Sequence, residues 1–162
     1  MTRASSRPFD HLLIALLLII LSACPTNASS QNTPKSTAAC PSAADMDHQH
    51  LQGVWRAELQ ATAPGTHPIV VTLQLGPHPE LAQSVRGTAL RQGTTAQVSG
   101  DVDAGELNLE ESTNGTSISA TWTGRVVDGS CGKEIQGTWN NANPTPAAPS
   151  APFVLRRQAA WQ

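Results

Sequence analysis

The chain has no tyrosine, two phenylalanines and three cysteines, and its only lysines are Lys35 and Lys133. Cationic side chains are too few and too scattered to form the basic footprint that nucleic acid requires. No C-x-x-C spacing is present, which removes the usual redox and zinc-knuckle patterns. There is no nucleophile elbow, phosphate-cradling glycine loop or His-Glu-x-x-His pair. The chain therefore reads as a non-enzyme that needs no cofactor. A membrane-crossing helix needs about 20 apolar residues, and no run here is that long.

The longest apolar run is Leu12 to Leu21, preceded by Arg3 and Arg7 and followed by the small residues Ser22 and Ala23. A positive start, a short apolar stretch and a small-residue end make an export signal. Leu21-Ser22-Ala23-Cys24 resembles the bacterial lipobox, in which the cysteine is lipidated and the chain is cut just before it. The competing reading is an ordinary signal peptide that leaves Cys24 free. Lipidation implies lasting attachment to a membrane through Cys24, because two or more acyl chains hold firmly where one does not. The resemblance also implies a site in the cell envelope. Pro25 stands where an aspartate would favour the inner membrane, so the expected address is the outer membrane, facing the periplasm.

Without residues 1–23, which carry Arg3, Arg7 and Asp10, the chain has 139 residues with 8 basic and 11 acidic side chains. That length suits one domain. Residues 24–47 are rich in Ser, Thr, Ala, Asn and Pro, and Met46 is their only large apolar side chain. They read as a flexible tether. The domain is placed at 48–158, and 159–162 form a tail. With Cys24 lipidated, Cys40 and Cys131 remain as a pair in a compartment where disulfides persist. A bridge would close a loop worth ~4–5 kcal/mol in the chain-entropy description. The alternative is two reduced thiols or a metal or redox site.

From Leu51 onward apolar and polar residues alternate. The inward sets are Leu51, Trp55 and Leu59; Ile69, Val71, Leu73 and Leu75; Val85 and Ala89; Val98 and Val102; Leu107 and Leu109; Ile118, Trp122 and Val126; Ile135 and Trp139; Phe153 and Leu155. Period-two alternation predicts half-buried antiparallel strands, and pieces such as Gln92-Gly93 and Asp103-Ala104-Gly105 supply turns. Glycines recur on the apolar face at Gly53, Gly87, Gly100, Gly124 and Gly137. Inward glycines turn the corners of curved sheets. The fold class is therefore all-β, a small eight-stranded antiparallel up-and-down barrel. Its proposed outer face, rich in Gln, Arg, Glu, Ser and Thr, is unlike a lipid-facing wall.

Gly53-Val54-Trp55 on the first strand, with Arg156 and Arg157 near the end of the last, resembles the calycin superfamily of lipocalins, avidins and some bacterial inhibitors. The resemblance implies that Trp55 packs at the closed end of the barrel under a cation–π contact from the last strand. Arg157 shares parity with Phe153 and Leu155 and is the candidate. Periplasmic metalloprotease inhibitors are similar in general plan, with one disulfide and an N-terminal arm. Trp55, Trp122 and Trp139 share inward parity and either line a ligand cavity or fill the core. His48 and His50, beside Asp45 and Asp47, form a candidate metal site, since His-x-His on an extended segment puts both rings on one side. The alternative is a solvated lead-in. Asp101, Asp103, Glu106 and Glu110 are expected to face solvent, with Glu111 at a strand end. Three functions follow: a tethered interaction module for an envelope protein, a carrier of a small apolar ligand, and an inhibitor-like or metal-binding lipoprotein.

Overall fold

The computed structural model describes residues 40–61, 65, 67–145 and 149–159. Residues 1–39, with the proposed export signal, Cys24 and most of the proposed tether, lie outside the described residues, as does Trp161.

Eight strands follow one another around a closed wall: β1 (Gly53–Leu59), β2 (Ile69–Pro77), β3 (Val85–Arg91), β4 (Thr94–Asp103), β5 (Glu106–Ser112), β6 (Ala120–Val126), β7 (Glu134–Asn141) and β8 (Ala151–Arg157). Each pairs antiparallel with the next, and β8 closes on β1. The fold is the expected all-β, up-and-down barrel. Every described strand carries the anticipated alternation, with Val71, Leu73, Leu107, Leu109, Ile135 and Leu155 all buried. The β3–β4 and β4–β5 connections are two-residue hairpins in which Gln92-Gly93 and Ala104-Gly105 take positive φ. Such turns match the right-handed twist of the flanking strands.

The inward glycines explain how the wall bends tightly enough to close. A Cβ added at Gly87, Gly100, Gly124 or Gly137 would strike the backbone of a neighbouring strand; at Gly124 it would lie 2.6 Å from the Gln136 carbonyl oxygen and 3.1 Å from Phe153 Cζ. Gly124 and Gly137 sit opposite each other, and Gly137 sits opposite Phe153. The Phe153 ring fills the space that two missing side chains leave, an arrangement that compensates for glycine in a sheet. It meets Trp122 edge-on at 5.1 Å between centroids.

Three expectations are corrected. Leu51 does not begin a strand: it ends a one-turn helix, α1 (His48–Leu51), and plugs the core from there. Ile118 does not point inward. It lies in the β5–β6 connection, 48 % exposed, and β6 begins only at Ala120. Packing also starts upstream of residue 48. A 3₁₀ turn spans Ala43–Asp45, and Met46 is buried in the main core. The arm 40–51 thus closes the end of the barrel where β1 starts. There Gly132 has no Cβ to collide with Met46.

Replacing Gly137 with alanine forces a methyl group into the backbone of β6, which cannot retreat as a flexible side chain would. Overpacking costs about 1–3 kcal/mol, and the upper end is expected for Gly137→Ala in urea denaturation. A similar substitution at Gly93, where a Cβ meets nothing, costs only the strain of its positive φ.

Candidate functional site

The two ends of the barrel are built differently. At the end where β1 starts, Trp55 is fully buried and its indole Nε1 donates to the Leu51 carbonyl at 2.7 Å. Arg157 from β8 stands over the Trp55 ring, its Cζ 5.9 Å from the centroid. Its guanidinium also donates to the carbonyls of His50 at 3.2 Å and Gln52 at 2.8 Å. The planar fork holds α1 down, satisfies the carbonyls of the last helical turn and caps the indole. This is the contact that the calycin resemblance implied. Cys40 and Cys131 form a disulfide across 91 residues, tying the arm to the β6–β7 connection.

Asp47 caps α1. Its carboxylate accepts from the backbone N–H groups of Gln49 at 2.9 Å and His50 at 3.3 Å. His50 Nδ1 lies 2.8 Å from the same oxygen and 3.2 Å from the Asp47 backbone nitrogen, and the tautomer decides which bond it makes. Burial raises the pKa of Asp47, but the His50 side chain and the two backbone donors outweigh it and hold the carboxyl below its ordinary value. The expected metal pair is not assembled here. His48 and His50 sit on a helical turn rather than an extended segment, so their rings diverge by about 200° around the axis, and His50 is engaged in the cap. Among the described residues no group of three or more His, Cys, Asp or Glu gathers as a metal site.

At the opposite end sits a buried carboxylate. Glu111 is near the end of β5, as expected, and points into the barrel, 1 % exposed. Its Oε2 accepts from the indole nitrogens of Trp122 at 3.0 Å and Trp139 at 3.1 Å. Its Oε1 accepts from Arg91 at 2.9 Å. Arg91 also lies over the Trp139 ring, Cζ 4.5 Å from the centroid, and its side chain remains 20 % exposed at the rim. Four strands thus converge on one carboxylate: β3 through Arg91, β5 through Glu111, β6 through Trp122 and β7 through Trp139. All three candidate tryptophans point inward, but Trp122 and Trp139 are register partners near this rim while Trp55 is at the far end. They do not line one common pocket.

A signal for Glu111 was present in the sequence. It continues the parity of Leu107 and Leu109, and two inward indoles need a buried acceptor. As a site, the cluster is saturated: no buried side-chain polar atom among the described residues lacks a partner. It holds no free nucleophile and no open acid–base pair. Two clefts among the described residues lie on the outer wall, one of about 410 Å³ above β4–β6 and one of about 230 Å³ beside it under the β5–β6 connection.

No protein-family model matches this chain, and no curated protein sequence matches it.

Two outcomes test these assignments. Truncating Glu111 to alanine strands Arg91 and two indole donors. Breaking a buried pair costs about 3–5 kcal/mol, and the Nε1–H signals of Trp122 and Trp139 should shift while that of Trp55 stays. Asp47 has a folded pKa below its unfolded value of 3.8, so its contribution is complete above the unfolded value and is lost as pH falls through the folded one. Asp47→Ala, which also removes an N-cap worth about 1 kcal/mol, should therefore lower the melting temperature clearly at neutral pH and progressively less in acid.

Proposed function

We propose that this chain is an exported lipoprotein, anchored through Cys24 in the cell envelope and facing the periplasm from the outer membrane, whose barrel binds a protein partner with its outer surface and connections. On this reading it is not an enzyme. The observation that carries it is the filling of the bore. Trp55, Trp122 and Phe153 are fully buried, and the rim opposite α1 is closed by the Arg91–Glu111 pair. A charged latch on a packed interior suits neither an apolar ligand in the barrel mouth nor acid–base chemistry, which needs a group that a substrate can reach. What remains available is the outer wall.

The inhibitor-like reading depends on an N-terminal arm entering an enzyme cleft. Residues 40–51 are committed to the barrel through Met46, Leu51 and the Cys40–Cys131 bridge, which counts against that use of them. The outer wall is also unlike a lipid-facing band, since it carries the exposed ion pairs Arg56–Glu58 and Arg125–Glu106.

The test uses the full chain in a bacterial host. Wild type should incorporate labelled palmitate and sediment with membranes, and Cys24→Ala should do neither. Cross-linking in intact envelopes followed by mass spectrometry should then recover one protein in stoichiometric yield. Palmitate incorporation that survives Cys24→Ala removes the anchor, and recovery of background proteins only removes the interaction module.

A further inference from the structure

Six carboxylates point outward from the strands, and they divide by position. Glu58, Glu106 and Glu134 each pair with an arginine: Arg56, Arg125 and Arg156. Asp101, Asp103 and Glu110 form no ion pair among the described residues, and all three lie on β4 and β5. Folding does not account for this concentration. Asp103 sits directly opposite Glu106 across the hairpin, an arrangement of like charges that weakens a sheet.

The larger outer cleft, about 410 Å³, lies over this acidic strip. Its floor comes from two cross-strand rows, Ser99–Glu110–Thr121 and Asp101–Asn108–Thr123. Its rim is Leu81 in the β2–β3 connection, 55 % exposed. The lining contains two carboxylates and no cation. The smaller cleft shares Ser99 and Glu110 with it and runs on to Ile118, the exposed aliphatic residue of the β5–β6 connection. The groove therefore climbs the wall between two aliphatic rims, with hydroxyl and amide groups on the floor of its larger part and one cation, Arg86, held by Gln97 in its smaller part.

We propose that this groove docks an extended, basic segment of the protein partner. The inference rests on the interaction-module reading and gives that partner a chemistry. A lysine or arginine of the segment sets its charged head between Asp101 and Glu110 while its aliphatic stem covers apolar surface. A neighbouring aliphatic residue packs on Leu81. The match is one of charge: unpaired carboxylates on the wall gain the cation that the barrel itself supplies to the other three, and such complementarity sets orientation and encounter rate.

The test titrates the full-length protein with a fluorescent octapeptide of alternating lysine and valine, read by anisotropy. Saturable binding is expected, and it should weaken as salt rises, since partly exposed charges are screened. The double variant Asp101→Asn, Glu110→Gln should weaken it tenfold or more, and Leu81→Ser at least threefold. The control Glu58→Gln, Asp128→Asn removes the same number of charges elsewhere and should stay within twofold of wild type. Equal weakening by both double variants, no saturable binding, or competition by spermidine as effective as by unlabelled peptide would overturn the groove. Repeating the envelope cross-linking with Asp101→Asn, Glu110→Gln separates this idea from its parent. An unchanged partner keeps the module and eliminates the groove, whereas recovery of no partner even with wild type eliminates both.

Discussion

The bore of an eight-stranded barrel is about as wide as a single layer of large side chains, and most of this molecule follows from filling it. Closing the wall brings strands so near that Gly87, Gly100, Gly124 and Gly137 have no room for a Cβ. The Phe153 ring packs over Gly124, and the indoles fill the bore. Indoles bring N–H groups into a dry interior, where an unpaired donor costs free energy. Trp55 finds its acceptor in the Leu51 carbonyl, which requires the chain to fold back as α1. Trp122 and Trp139 find theirs in Glu111, and its charge in turn requires Arg91. One geometric limit thus accounts for the glycines, the aromatic stack, the terminal helix and the buried ion pair.

The same sequence of dependencies explains what could be read beforehand. Alternation along Val71–Leu75, Leu107–Leu109 and Ile135–Trp139 declares a half-buried strand wherever it occurs, and glycines on the apolar face declare curvature. Arg157 was legible because parity and a tryptophan on the first strand limit its possible partners. The burial of Glu111 is harder to read, because a carboxylate at a strand end suggests solvent until the parity of Leu107 and Leu109 and the indoles that need an acceptor are counted. Ile118 is the opposite case, an apolar residue whose spacing fits the inward set but which lies before β6 begins. His48 to Leu51 was misread because one helical turn is too short to display a period of 3.6. What specifies it is the Asp47 cap and the pull of Leu51 and Trp55 on each other.

With the interior packed, the two described clefts lie on the outside, where the wall is uneven. Arginines match the outward carboxylates Glu58, Glu106 and Glu134. The β4–β5 sector is different: there Asp101, Asp103 and Glu110 form no ion pair among the described residues, and two exposed aliphatic residues, Leu81 and Ile118, flank it. A sector of that kind adds nothing to a bore that is already full.

The bridge between Cys40 and Cys131 also decides how the domain responds to being pulled. Tension arriving along the polypeptide from upstream meets a covalent cross-link at Cys40 and passes into the β6–β7 connection. It never reaches the seam between β1 and β8, the place where a barrel of hydrogen-bonded strands would otherwise unzip from its end. The 3₁₀ turn, Met46 and α1 lie in the mechanical shadow of that bond. Pulling on the leading end of the domain therefore loads the wall through that bridge before it loads the packing of Met46 and α1 at the base.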